Sequence, residues 1–185
     1  MNKLLIIGAS GHGKVIADIA LTMGWKEIQF LDAKWPKLEN FAGWPVIGKD
    51  IDFMSHNTPY NGFFVAIGDN LARAKISNLL SSKNVRVETL IHPRAFVSNS
   101  VDIGEGSVIM PGATINCGSK LGKGVIINTG STVDHDCLLG SYIHISPGVN
   151  LAGGVMIKDF TWIGIGSCVK ENLKNWFASC CSAAL

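Results

Sequence analysis

The chain has 185 residues, nearly half of them hydrophobic, with 21 glycines and a formal net charge of +2. That balance, without a Lys/Arg run, argues against a nucleic-acid partner, and the apolar, turn-rich composition argues against disorder. The apolar start, Met1-Asn2-Lys3-Leu4-Leu5-Ile6-Ile7, stops at a glycine-rich turn; it is too short for a signal core or a membrane span. A soluble, cytoplasmic protein is expected. The cysteines at 117, 137, 168, 180 and 181 are odd in number and lack metal-ligand spacing, so they are expected as reduced thiols, several of them packing residues.

In chain order, residues 3–7 read as a buried strand running into Gly8-Ala9-Ser10-Gly11-His12-Gly13. A helix over about 14–23 follows, ended by Gly24, and then a strand over 27–31 that finishes at Asp32. Strand, glycine turn, helix and strand make a βαβ unit with a parallel sheet. Residues 33–59, with Pro36, Pro45 and Pro59, read mostly as loop around a short apolar piece at Val46. A strand over 63–67 ends in Gly68-Asp69-Asn70, followed by a helix over 71–82 with Ala72, Ile76, Leu79 and Leu80 on one face. A further strand is expected over 85–90, and His92-Pro93 marks a boundary. The division expected is a small α/β Rossmann-like domain over 1–90, a second domain over 91–174 and an atypical tail over 175–185.

The glycine turn is Gly8-x-x-Gly11-x-Gly13 and not the dinucleotide pattern Gly-x-Gly-x-x-Gly. It brings backbone N–H groups and a helix N-terminus to the carboxyl end of a strand, where phosphates bind. A tight turn that needs small residues would read the same way. Asp32 stands where ribose hydroxyls are often held, or is a solvated acid at a strand end. The α/β part lacks a second mononucleotide half, which disfavours a nicotinamide oxidoreductase.

From Ile91 the chain changes period. Steps of six land on Val97, Ile103, Ile109, Ile115, Leu121, Ile127, Val133, Leu139, Ile145, Leu151, Ile157, Ile163 and Val169. Four residues after each landing the side chain is usually small or β-branched, as at Ala95, Ser107, Ala113, Ser119 and Ser131. Six fits neither a helix face nor a half-buried strand; it is the signature of a hexapeptide β-helix. Three hexads close one triangular coil. Coils stack about 4.8 Å apart, so residues eighteen apart lie one above another. No coil buries its own interior, so the core exists only through stacking.

Several motifs now converge. They are Ile-Ile-Gly-Ala-Ser-Gly-His-Gly at 6–13, Phe30-Leu31-Asp32, Ala66-Ile67-Gly68-Asp69-Asn70 with Arg73, Leu90-Ile91-His92-Pro93, and Asn128-Thr129 followed by Val133-Asp134-His135-Asp136-Cys137. Over residues 1 to about 174 the chain resembles the bacterial hexapeptide-repeat sugar O-/N-acetyltransferases of the sialic-acid and amino-sugar (NeuD/PglD) type. The resemblance implies a left-handed parallel β-helix, a homotrimer and acetyl-CoA as co-substrate. It also implies a sugar or sugar-nucleotide substrate in surface-glycan biosynthesis, with no metal. Residue by residue, it implies His135 as catalytic base with Asp136 beside it, Asn128 near the acceptor sugar, and His144 and Gly153 near the acetyl group. Less directly, it places Gly8, Gly11, His12, Gly13, Asp32, Gly68, Asn70 and Arg73 on the nucleotide side.

The chemistry suits these residue types. Acetyl transfer needs a base for the attacking hydroxyl or amine and donors for the developing oxyanion. Imidazole titrates near working pH, and a carboxylate can fix its tautomer. Alternation from an inward Val133 points Asp134 and Asp136 outward and His135 toward the interior side or a corner; the resemblance, not this geometry, selects Asp136. Gly153, eighteen residues after His135, is expected directly above it, with its N–H placed as an oxyanion donor. His144, nine residues on, faces elsewhere in one chain, so it serves a site between subunits or a trimer contact. His56 and His92 read as structural, Trp25 and Trp162 as core or interface. Three-His zinc spacing is missing. After Val169 the next landing is Asn175, where the hexads stop. Either a frame change altered the ending or Trp176 and Phe177 form a short natural cap. An incomplete acetyl-CoA site would leave a weakly active or inactive trimer that only binds sugar nucleotide.

Overall fold

The computed structural model describes residues 2–54 and 60–174. It divides into two units, Met1–Glu88 and Thr89–Leu185. In the first, the apolar strand β1 (Lys3–Ile7) lies between β2 (Glu27–Leu31) and, later in the chain, β5 (Gly62–Val65), parallel to both. Helix α1 (Gly11–Thr22) joins β1 to β2 and buries Gly13, Ile16, Ala17, Ile19 and Ala20, a single stripe at helical spacing. It begins earlier than its apolar periodicity indicates, because Ser10 is the N-cap and the motif glycines form the first turn. Helix α2 (Asn70–Ser82) is capped by Asp69, whose carboxylate accepts the Ala72 N–H at 2.8 Å.

Two expectations are corrected here. Residues 40–48 are not loop: β3 (Asn40–Phe41) and β4 (Trp44–Gly48) form a hairpin, giving the sheet order β3-β4-β2-β1-β5. Pro45 is compatible with a strand because the ladder to β2 begins only after it, at Phe30–Val46, with an irregularity before Leu31–Gly48. Residues 85–90 do not form a strand. Val87 makes one parallel bridge to Phe63, and Leu90 belongs to the following unit.

That unit is a β-helix of two-residue strands. One face stacks β7 (Phe96–Val97), β10 (Thr114–Ile115), β13 (Thr132–Val133), β16 (Asn150–Leu151) and β19 (Cys168–Val169). The second stacks β8 (Asp102–Ile103), β11 (Lys120–Leu121), β14 (Leu138–Leu139) and β17 (Met156–Ile157). The third stacks β6 (Leu90–Ile91), β9 (Val108–Ile109), β12 (Ile126–Ile127), β15 (His144–Ile145) and β18 (Trp162–Ile163). Every pairing is parallel and joins residues eighteen apart, such as Val133 with Leu151 and Ile127 with Ile145. The second residue of each strand is the hexad aliphatic, and those from Ile109 onward form one buried core. The small positions are buried too. Ser119 donates to the Asp134 carbonyl at 2.8 Å and accepts the Cys137 N–H at 3.0 Å, tying successive coils together.

Of the cysteines, Cys137 alone among the described ones packs inside, where burial pushes its thiol pKa up; Cys117 and Cys168 are exposed free thiols. Cys180, Cys181, His56 and the tail over 175–185 lie outside the described residues. Among the described residues no helix is long and apolar enough to cross a membrane.

Candidate active site

β13 ends at Val133, and the chain turns a corner at His135–Asp136 before β14 starts at Leu138. The His135 side chain is 57 % exposed, so it stands outside the prism at the corner and not on the interior side. Asp136 occupies the left-handed region, with φ +58°, which an Asp tolerates better than most residues. That backbone swings its carboxylate back onto the ring, and Asp136 Oδ2 lies 2.9 Å from His135 Nδ1. The carboxylate accepts, so Nδ1 carries the proton and the neutral ring presents the Nε2 lone pair. Asp134 does a different job: its Oδ1 accepts the His135 N–H and the Asn116 Nδ2 amide, each at 2.8 Å. The ring therefore belongs to Asp136 and the backbone to Asp134. The hydrogen bond that the ring donates to Asp136, helped by the charge of Asp134, raises the His135 pKa. The Asn116 amide, then the His135 N–H, hold the Asp134 carboxyl below its usual value.

Gly153 sits over the ring. A β-carbon there would fall 2.6 Å from His135 Nε2 and 2.7 Å from Cε1, far inside contact distance. The chain remains in register, with the Gly154 N–H donating to the His135 carbonyl at 2.9 Å. Among the described residues the Gly153 N–H itself donates to no carbonyl. Asp134, His135, Asp136, Ala152, Gly153, Gly154, Glu171 and Asn172 line an open cleft of about 440 Å³.

Asn128 and His144 lie on the third face. Their side chains approach at 3.4 Å, and His144 stacks on Trp162 with ring centroids 4.7 Å apart. Trp162 is not a core residue; it is part-exposed, with Nε1 donating to Ser146 at 2.9 Å. One chain thus brings His135, Asp136 and Gly153 together, and Asn128 with His144, but not the two groups with each other.

In the first unit Gly8 has φ +111°, and a β-carbon on it would meet the Ala66 carbonyl, while one on Gly13 would meet the Gly8 carbonyl and the Phe30 ring. At Gly11 and Gly68 a β-carbon would find open space. His12 stands half-buried in the first turn of α1. Asp32 Oδ2 accepts the Ala9 N–H at 2.8 Å and Oδ1 the Lys34 N–H at 2.9 Å. Arg73 is only 1 % exposed; its guanidinium donates to the Ile67 and Gly68 carbonyls and to the Asn70 side chain. The resemblance implies a nucleotide-side role for Arg73; its guanidinium is not at the surface but supports the 67–70 loop from inside.

Residues 3–80 match the family model described as the PglD N-terminal domain. The acetyltransferase domain of PglB from Neisseria gonorrhoeae FA1090, solved also in complex with acetyl coenzyme A, superposes with a TM-score of 0.87 at 42% identity, covering 93% of this chain and 84% of that one. The chain belongs to the NeuD/PglD-type sugar acetyltransferase family. A mutant perosamine N-acetyltransferase from Caulobacter crescentus, in complex with CoA and GDP-perosamine, superposes at TM-score 0.84 with 34% identity, covering 95% of this chain and 91% of that one. UDP-N-acetylbacillosamine N-acetyltransferase of Bacillus subtilis is 34% identical over 112 residues, 60% of this chain and 52% of the relative. The chain thus spans about half the length of that curated relative. Its β-helix is the left-handed kind of this family.

Within this PglD-type chain, sequence reasoning overlooked Asn116, which holds Asp134, and the cleft residues Glu171 and Asn172. The signal was available. Asn116 stands eighteen residues before Asp134, and Glu171 eighteen after Gly153, so the register that placed Gly153 over His135 also places them.

Proposed function

We propose that this chain transfers the acetyl group of acetyl-CoA to the amine of a nucleotide-linked amino sugar, in the cytoplasmic assembly of a bacterial surface glycan. The carrying observation is the corner itself, with His135 Nδ1 on Asp136 at 2.9 Å and the bare Cα of Gly153 beside Nε2. The space that a β-carbon on Gly153 would fill is the space a thioester needs next to the base. Acetyl-CoA supplies an activated acyl carbon. His135 Nε2 takes the proton of the attacking nitrogen as the N–C bond forms, then returns a proton to the sulfur as the C–S bond breaks. Asp136 steadies the resulting imidazolium, and the Gly153 N–H donates to the carbonyl oxygen as it gains charge. The named relatives that are N-acetyltransferases support an amine over a hydroxyl as acceptor.

In this reading the active species is a homotrimer. Asn128 and His144 of one subunit meet the His135 corner of the next, which accounts for their separation within one chain. The first turn of α1, with Gly11, His12 and Gly13, faces the nucleotide phosphates through backbone N–H groups; Gly8, whose own N–H donates to the Leu31 carbonyl, turns the chain toward them, and Asp32, Gly68 and Asn70 shape that surface. The test is release of free CoA thiol with acetyl-CoA against a panel of nucleotide-linked amino sugars and sialic acids. Turnover on an amino-sugar nucleotide is expected; turnover on sialic acid alone overturns the acceptor, and none at all, with sugar nucleotide still bound, favours the binding-only trimer. Mixing inactive H135A and H144A chains should restore about a quarter of wild-type activity, because each shared site needs one intact residue from each neighbour. No recovery would return His144 to a contact role.

A further inference from the structure

We propose that Asn116 and Gly118, in the coil next to His135, are positioning residues that set its two flanking carboxylates, Asp134 on the backbone and Asp136 on the ring. The inference rests on His135 being the base. Residues 116–118 stack on 134–136 one for one: the Asn116 N–H donates to the Val133 carbonyl, and the Asp136 N–H donates to the Cys117 carbonyl at 3.0 Å. Asn116 Nδ2 and the His135 N–H share one oxygen of Asp134, both at 2.8 Å. The amide therefore fixes the acceptor that decides where the His135 backbone leaves the corner.

Gly118 acts by what it lacks. A β-carbon on it would fall onto Asp136 Oδ1, with Asp136 Cγ at 3.5 Å. One oxygen of Asp136 thus bonds the ring while the other lies on the bare Cα of Gly118. Backbone conformation alone does not require glycine there. Asp136 and Asn172 occupy the same left-handed slot, at φ +58° and +59°, one and three coils further along. Glycine alternates with them: Gly118 under Asp136, and Gly154 under Asn172, whose Oδ1 lies 2.6 Å from a β-carbon built on Gly154. The requirement at 118 comes from the carboxylate stacked on it. Gly112 supplies the contrast. Its φ of +72° nearly equals the +73° of Gly118, yet a β-carbon on it would meet the Gly130 Cα at 3.8 Å and its nitrogen at 3.9 Å, both ordinary contacts.

The experiment compares Gly118→Ala with Gly112→Ala, reading kcat, KM for acetyl-CoA and the pH profile of kcat/KM by thiol release. Both carry the same left-handed strain, but only Gly118→Ala displaces Asp136. It should lower kcat about tenfold by misplacing the ring, leave KM within about twofold, and move the acid limb to lower pH. Gly112→Ala should keep the wild-type limb. In a double-mutant cycle, Gly118→Ala added to Asp136→Asn should change neither kcat nor the limb further, because the two act through one contact. Should Gly118→Ala fold poorly, Gly118→Asn, which accepts a left-handed backbone as Asn172 does, should show the same limb shift. Asn116→Leu, which fills the site without donating, should lower kcat at unchanged KM. A wild-type limb in the folded Gly118 variant, or multiplying losses in the cycle, overturns the inference. If His135→Ala keeps wild-type turnover, the base assignment itself falls; if His135→Ala is inactive and the Gly118 variant normal, only this inference does.

Discussion

The His135 corner and the glycine turn after β1 both gather Gly, His and Asp, yet they use side chains in opposite ways. At the turn, both oxygens of Asp32 accept backbone N–H groups, and Arg73 is buried on the carbonyls of the 67–70 loop. The side chains there hold the backbone. At the corner the stacked backbone is already tied coil to coil, so His135 and Asp136 stand out, more than half exposed, and pair with each other. A loop at the end of a parallel strand needs side-chain props to keep its shape. A β-helix corner is braced by its neighbours and can present reactive side chains directly.

The largest effect should come from His135→Ala. Loss of the proposed base is expected to lower kcat/KM by roughly 10²- to 10⁴-fold with an unchanged melting temperature, since an exposed corner side chain contributes little to the core. A large fall in stability would mean that the corner, like the turn, uses its side chains as props. Arg73→Met should do the reverse. It strands the Ile67 and Gly68 carbonyls and removes the bond to Asn70, costing about 3 kcal/mol in a denaturant titration. Loss of sugar-nucleotide affinity at full stability would instead put Arg73 on the ligand side, as the family resemblance implies.

Asp136→Asn tests the pairing within the corner and should lower kcat/KM about tenfold at its optimum. The sign of its pH effect follows from His135. Hydrogen bonding to Asp136 raises the imidazole pKa; as the proposed base the ring must be neutral to act, so activity is expected to be lost as pH falls through that raised value. Removing the carboxylate lets the pKa drop back, so the acid limb should move to lower pH. A limb that stays put would assign it to another group.

Much of this was legible because six is an unambiguous period. Every strand from β6 to β19 ends on a hexad aliphatic, and the eighteen-residue stack that follows placed Gly153 over the ring from spacing alone. Alternation alone did not separate Asp134 from Asp136, since corner geometry depends on the left-handed φ at 136, a slot that recurs every six residues from Gly106 to Asn172 and that strand alternation does not describe. The α/β unit was read less well where tertiary pairing overrides local signals. Pro45 masked β4, whose ladder begins one residue later. Arg73 was placed on the nucleotide side by resemblance alone; arginine is rarely buried, and only the loop carbonyls around it show why this one is.

The smallest effect concerns the third face, where Trp162 lies flat on His144 at an interplanar angle of 14° and donates to Ser146. Trp162→Leu keeps an apolar side chain but removes the stack and the donor, so a loss of about 1 kcal/mol in stability is expected. If His144 meets the corner of a neighbouring subunit, releasing its ring should also lower kcat/KM about threefold through looser positioning. The acid limb should not move, because the ring that sets it is paired at another corner of the prism. A shifted limb would show that the Trp162 face acts on the His135–Asp136 pair itself, and the two groups that one chain keeps apart would be one electrostatic unit.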